Sequence, residues 1–413
     1  MSSSLIEVVS GQLAAAGVEA VELDDGQVMA LIEVLGLIPD RRRARGRRYR
    51  LGFLLAAALT AVLAGAKSMV EVVRRTRSAD DEFLYRLGAT GRNLRPADTT
   101  FGRALKVLDG DEVDMLCGSW LAGMLRSTER DALRPRNAGA QADGARLPVA
   151  AADGKSVRGA ARPDGTRPHL VSLYRPEAGC VIGQVQVADK SNEIPALPDL
   201  LGRVDLTGLL VTADALHAQR ATAEAVVAAG GHYLLFLKDN QPSILRQAQD
   251  LLAPGSHAEH ERAGTSAETF DIGHGRRERR ITRTAPCDGI DFPHAAQVIR
   301  ITRRRAVGKA PGAGTKEVAY AITSLTSEQA GPVKLGQAAR EHWGIEAMHH
   351  IRDVTWREDA SRIRTGSTPR VMAGLRNLAL ALLKLLGWTN IAAATDHMRD
   401  HRNDTLALLG LSH

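Results

Sequence analysis

Three carboxylates stand at positions from which they could hold divalent cations. Asp153 comes at the end of the short apolar strand pattern Pro148–Ala152, Asp214 directly follows the buried-type run Leu209–Ala213, and Glu346 lies in the helical-pattern string from Arg340 to Asp353. Two strand-end carboxylates and one helical carboxylate make an oxygen donor set suited to hard Mg²⁺ or Mn²⁺ ions. A pair of such ions supports phosphoryl transfer: one activates water or a 3′ hydroxyl while the other stabilises the leaving oxygen. Each acid also has a plainer use. Asp153-Gly154 reads as a turn, Asp214 as a helix N-cap, and Glu346 as part of a solvated helix face.

On a helical wheel, Trp343, Ala347, Met348, Ile351 and Val354 fall on a packing side, and His342, Glu346, His349, His350 and Asp353 on the other. His342, Glu346 and His350 at four-residue spacing could hold a transition metal, although the HExxH string of zinc proteases is absent. Gly154-Lys155-Ser156 is not a nucleotide P-loop, because position 149, where the motif requires Gly, is Val149. Lys238, Asn240 and Gln241 follow another buried-type strand. Lys238 is placed to contact a phosphate and Asn240 or Gln241 to position nucleic acid, a turn role being the alternative.

The elements that must position these residues divide into a helical front and a mixed remainder. Helical patterns cover Val28–Ile38, Leu51–Ala66, Met69–Arg77 and Asp81–Leu87, and Thr99 or Thr100 caps a helix through Leu108. Between the first two lies a segment with seven arginines in ten positions: Arg41, Arg42, Arg43, Arg45, Arg47, Arg48 and Arg50. Such a density repels itself unless it is solvated or bound to phosphates. Residues 127–146 read as a linker, so the expected division is a DNA-binding front at 1–126 and a catalytic domain at 147–413. There, strand patterns at Pro148–Ala152, His169–Tyr174 and Cys180–Ala188 precede a helix near Ile194–Leu201 and a β-α-β unit, Leu209–Ala213, Leu216–Ala229 and His232–Leu237. A β-rich insert occupies about 247–325, with alternation at Arg276–Thr284, Ala296–Thr302 and Glu317–Leu325; helical patterns return over Leu335–Ile351 and Pro369–Leu386. The fold class expected is α+β.

Composition narrows the function classes. The chain has 413 residues, 44% hydrophobic and 24% charged, which excludes a disordered or fibrous protein. Its longest uncharged apolar run, Leu51–Ala66, is too short for a membrane span. The first 40 residues carry seven acids and no Lys or Arg, so the rest holds +14 of charge against a net +7. No basic segment precedes an apolar stretch there as a secretory signal requires, and the reading is a cytoplasmic protein. Cys117, Cys180 and Cys287 are far apart and form no CxxC pair. A basic cytoplasmic body points to nucleic acid as its partner.

Taken jointly, Ala152-Asp153-Gly154-Lys155-Ser156-Val157-Arg158-Gly159, Asp214-Ala215-Leu216-His217-Ala218-Gln219, Lys238-Asp239-Asn240-Gln241-Pro242 and His342-Trp343-Gly344-Ile345-Glu346 resemble the H-repeat-associated branch of bacterial insertion-sequence DDE transposases. The resemblance extends to the arginine run and to Asp353-Val354, Glu358-Asp359 and Arg362. It implies a ribonuclease-H-like core with Asp153, Asp214 and Glu346 as the acidic triad, two Mg²⁺ or Mn²⁺ ions, cleavage and strand transfer at terminal inverted repeats, and a homodimer on double-stranded DNA. The separations of 61 and 132 residues leave room for a β-rich insert before the Glu. Where related transposases carry Tyr, Arg and Lys around that Glu, this chain has Ala339, His342 and Asp353. Arg340 is placed to supply the missing charge, with His342 and Trp343 beside it as DNA contacts. Glu358 and Asp359 are rivals for the third acid, and a silent, repurposed DNA-binding protein is the alternative function.

Overall fold

The computed structural model describes residues 29–132, 147–162, 164–187, 193–253, 266–273, 276–287, 289–307 and 314–411. Along the chain come helices α1 (Leu31–Leu37), α2 (Leu51–Leu63), α3 (Met69–Arg77), α4 (Asp81–Arg86), α5 (Asp98–Leu105) and α6 (Gly110–Ala132), then strands β1 (Val149–Ser156), β2 (His169–Arg175) and β3 (Cys180–Val187). Helix α7 (Glu193–Leu201), strand β4 (Leu210–Ala213), helix α8 (Arg220–Ala228), strand β5 (His232–Leu237) and helix α9 (Pro242–Leu251) follow. Strands β6 (Ser266–Gly273), β7 (Arg276–Pro286), β8 (Gln297–Val307) and β9 (Gly314–Thr323) precede helices α10 (Pro332–Glu341), α11 (Gly344–Thr355), α12 (Thr368–Leu385), α13 (Ile391–Asp400) and α14 (Asp404–Leu408).

This α+β chain forms two compact units, drawn from Met1–Ala140, Gly154–Asn192 and Glu346–His413 in the first, and from Gln141–Asp153 and Glu193–Ile345 in the second. They cut across the linear division expected from composition. In addition, α6 is helical as far as Ala132, six residues into the expected linker; residues 133–146 lie outside the described ones.

In the first unit, α2 is apolar nearly all round and is buried nearly all round, as such a helix must be. Ser68 and Asp80 cap α3 and α4 by accepting from the backbone N–H groups of Glu71 and Phe83. The α5 helix starts at Asp98 after Ala97, with Thr99 and Thr100 inside it instead of capping it. The hairpin β2–β3 has α6 and α12 packed on it. Their close approach depends on Gly118, where a Cβ would come 2.5 Å from the carbonyl oxygen of Ile182. Gly118→Ala is therefore expected to cost about 1–3 kcal/mol, read as a lowered urea midpoint. Polar groups tie the same layers. Gln184 Nε2 donates to Asp114 Oδ2 at 2.7 Å, and Arg370 pairs with both Asp111 and Asp114. Just after α11, Trp356 is fully buried and donates from Nε1 to the Val62 carbonyl in α2 at 2.9 Å.

In the second unit the strand order is β1-β4-β5-β9-β8-β7-β6. β1, β4 and β5 are parallel, whereas β5–β9 and the β6-to-β9 meander are antiparallel. The expected insert is thus an extension of the sheet, beginning after α9 rather than at residue 247. Pro242 opens α9, where a missing N–H costs nothing. Val149, Leu210, Leu234, Phe236, Ile299 and Leu335 belong to the core that buries one sheet face. Four arginines of β7 and β8 are paired with acids: Arg280, Arg303 and Arg305 with Glu278, and Arg279 with Glu268.

Among the described residues, no helix is long and apolar enough to cross a membrane.

Candidate functional site

Asp153 and Asp214 are brought together by strand register. Ala152 of β1 pairs with Ala213 of β4 in a parallel ladder, so the next residue on each chain is Asp153 or Asp214. Adjacent strands lie about 4.8 Å apart, and matched residues of parallel neighbours project to the same face. Asp153 does not end its strand, as the Asp-Gly pair suggested. β1 continues to Ser156, and what ends at Ala152 is its ladder with β4. Both acids are half-buried at the carboxyl edge of the parallel strands, where open α/β sheets place their ligands.

Asp214 uses one oxygen locally: its Oδ1 accepts from the Leu216 N–H at 3.1 Å and so opens the 3-10 turn Ala215–His217. The N-cap role foreseen as an alternative is real, yet it leaves Oδ2 without a donor among the described residues. The expected helix from Leu216 consequently begins later, at Arg220.

The turn after Asp214 is braced by amides that sequence inspection assigned to DNA. The Asn240 side chain donates to the Ala215 carbonyl, and Gln241 Nε2 to that of Ala218 at 2.9 Å. Their signal in the sequence was only that two amides follow a buried strand; the backbone carbonyls they serve lie more than 20 residues earlier. Lys238 is exposed just beyond the end of β5, on the edge that carries the two aspartates. Beneath the turn, His217 Nε2 lies 3.5 Å from Glu193, both side chains buried.

His342 is also a brace. It is 9% exposed, its Nδ1 is 3.1 Å from the Thr212 hydroxyl of β4, and its ring lies 5.4 Å from that of Phe236. Burial pushes its pKa down to about 4 against the opposing pull of the Asp214 carboxylate, so the imidazole is neutral at pH 7. Trp343 is 39% exposed, with the Arg303 guanidinium 5.9 Å over its ring, and Arg340 is ion-paired to Asp271 at 2.5 Å.

The helical wheel drawn through residues 342–354 has the wrong phase. The chain breaks between α10 and α11 at His342-Trp343, which a continuous 100° rotation ignores. The residues fully buried in α11 are Ile345, Met348 and Arg352, whereas Val354 is 59% exposed. His349 is turned inward, and burial with the Arg352 charge lowers its pKa to about 3. Glu346 lies in the first turn of α11 with an exposed side chain, in the first unit, while the two aspartates belong to the second.

Its rivals have other duties. Glu358 is completely buried between Arg352 (2.7 Å) and Arg376 (3.0 Å). Burial alone would raise its pKa, but the two guanidiniums outweigh that and hold it at about 2. Asp359 lies 3.9 Å from Lys155 and 3.7 Å from Arg158, and Lys155 is itself tied to Asp353 at 2.7 Å.

Of the arginine run, Arg42 is buried and serves the loop. It forks onto Asp40 (2.8 and 2.7 Å) and donates to the Tyr49 and Gly46 carbonyls. Arg47 donates to the carbonyls of Arg42 and Asp40, and Arg41 pairs with Glu112. Arg43, Arg45 and Arg48 are exposed and have no carboxylate partner among the described residues.

The aspartate pair fits a hard divalent cation. Mg²⁺ characteristically takes one or two carboxylates and completes its shell with water and substrate phosphates. Among the described residues no group of three or more His, Cys, Asp or Glu closes a metal cage. A two-carboxylate platform with oxygen donors alone is what the register supplies.

The family model described as "Transposase DDE domain" matches residues 144–382, and that of the DDE_Tnp_1-associated segment matches residues 32–121. The chain is 28% identical over 367 residues to "Putative transposase YncI" of Escherichia coli O157:H7, covering 86% of this chain and 88% of that one. To "H repeat-associated putative transposase YhhI" of Escherichia coli K12 it is 27% identical over 371 residues, or 86% and 91% of the two chains. It is 31% identical over 299 residues, 71% and 93%, to "Uncharacterized protein in dhlA 3'region" of Xanthobacter autotrophicus.

Proposed function

The chain belongs to the DDE-domain transposase family, and from that premise we propose that it cuts DNA at the terminal inverted repeats of its own insertion sequence and joins the freed 3′ ends to target DNA. The observation that carries this reading is the register of Asp153 beside Asp214. Three strands followed by a β-α-β unit support a ribonuclease-H-like core around them. Glu346, exposed at the start of α11, is the third carboxylate of this reading, since the fully buried Glu358 is consumed by two arginines. Asp153, Asp214 and Glu346 would hold two Mg²⁺ or Mn²⁺ ions, which when bound make water or a 3′ hydroxyl nucleophilic and neutralise the leaving oxygen.

The protein's own groups do the rest. Asn240 and Gln241 fix the turn that aims Asp214, and neutral His342 packs behind β4 without discharging it. Lys238 is free to meet the phosphate that the edge presents, and Trp343 with Arg303 offers a stacking surface to the strand. Arg340, tied to Asp271, is the cation beside this helix. The helical front binds the repeats, the protein acts in the cytoplasm, and two copies pair the two ends.

The test is strand cleavage of a labelled duplex carrying the inverted repeat that brackets the coding frame, with Mg²⁺ or Mn²⁺. The expected product is a 3′ hydroxyl at the repeat boundary. Stable binding without a cut under either metal would leave a DNA-binding protein and overturn the enzymatic reading.

A further inference from the structure

The structure assigns to the helical front a two-walled cleft that grips the phosphodiester backbone of duplex DNA, with Arg103 and Lys106 of the α5 segment opposing Arg43, Arg45 and Arg48. This rests on the transposase reading for its occupant, but not for its chemistry. The cleft has a volume of about 590 Å³, and the described residues that line it are rich in Arg and Lys and include no Asp or Glu. One wall is the arginine loop. The other is a face of α5 and its end, where Thr100, Arg103 and Lys106 recur at three-residue spacing.

What distinguishes the cleft is where the nearby acids have gone. Asp40 is held by Arg42, Glu112 by Arg41, Asp81 by Arg95 and Asp98 by Arg77. Arg43, Arg45, Arg48, Arg103 and Lys106 are left exposed, with no carboxylate partner among the described residues. Five cations converge on one concavity with no carboxylate among the described residues to neutralise them, an arrangement that repels itself until a polyanion enters. A phosphodiester chain supplies regularly spaced single charges, and guanidinium forks match its oxygens. Tyr49 shapes the floor: it is buried, its hydroxyl donates to the Arg95 carbonyl at 3.1 Å, and its own carbonyl accepts from Arg42. The arginine run is thus divided between a scaffold, Arg42 and Arg47, and a grip, to which α5 contributes two cations that no run of basic residues marks in the sequence.

The probe is a fluorescent 30-base-pair duplex of unrelated mixed sequence, because backbone contacts ignore sequence. Its Kd is measured against salt, without metal, for the full-length protein. Each phosphate contact contributes about 0.9 to the slope of log K against log salt. Arg103→Gln with Lys106→Gln should lower the slope by about 2, Arg43→Gln with Arg45→Gln and Arg48→Gln by about 3, each weakening binding at least about tenfold at 0.1 M salt. All five side chains are exposed, so circular dichroism should be unchanged. An unchanged slope in either variant overturns the cleft even if the wild type cuts its repeats. Reduced slopes with a wild type that never cuts would uphold the cleft and overturn only the enzymatic reading. Tighter binding of an RNA duplex of the same sequence through the same residues would overturn the assignment to DNA.

Discussion

Asp214→Asn is expected to lower strand cleavage by at least about a thousandfold, roughly 4 kcal/mol of transition-state stabilisation, while leaving the fold in place. The substitution keeps the shape of the side chain and an oxygen able to accept from the Leu216 N–H, so the 3-10 turn survives. Only the charge goes. Asp153→Asn should behave alike, because each carboxylate directly follows its partner in Ala152↔Ala213, the last pair of one parallel ladder. Losses in residues that act as a unit do not add, so the double variant should be scarcely worse than either single one. The measurement is the single-turnover rate of 3′ hydroxyl release on repeat DNA, beside a binding assay. Cleavage within tenfold of wild type in either variant would remove that aspartate from the chemistry.

Glu358→Gln should be the most damaging single change to stability, at about 3–5 kcal/mol. It leaves Arg352 and Arg376, both completely buried, facing a neutral amide. The same pair sets an acid limit. The Glu358 pKa is held at about 2 against an ordinary value of 4.5, so its contribution is complete above about pH 4.5 and is lost as pH falls towards 2. Urea midpoints at pH 6 and pH 3 test both claims. Wild type should weaken between them, and the variant, already weak, should lose less. A variant as stable as wild type at pH 6 would refute the pair's structural role.

Much of the second unit could be read directly. Short apolar runs bounded by turn residues became β4 and β5 nearly residue for residue, since a strand buried on both faces has few other ways to be written. Asp214 was legible for the same reason: an acid immediately after such a run sits at a sheet edge. Asp153 was read as a strand end, whereas β1 runs on to Ser156, because nothing local shows which neighbour's ladder stops first. The α11 face was misread because hydropathy takes His349 for a solvent-facing group, although burial beside Arg352 turns it inward, and because Arg352 is buried only through its bonds to Asn377 and Glu358. Arg42 misled in the same way: a buried guanidinium with four acceptors looks, in sequence, like its exposed neighbours.

The first unit is a closure of three distant stretches of chain. Its central helix α2 is covered by α12 and α13, and its polar ties run from Asp114 through Gln184 and Arg370. A ribosome therefore exposes the front of this protein long before the residues that complete it exist. Leu54, Leu55 and Leu59, fully buried in the finished protein, must wait for some 300 further residues. The C-terminal helices act as a completeness check on the product: a chain released early, by a nonsense codon or a frameshift, carries the arginine loop but lacks the packing that holds it. On the proposed function, an insertion sequence that disables its own reading frame near the end would silence the binding of its ends together with the cutting.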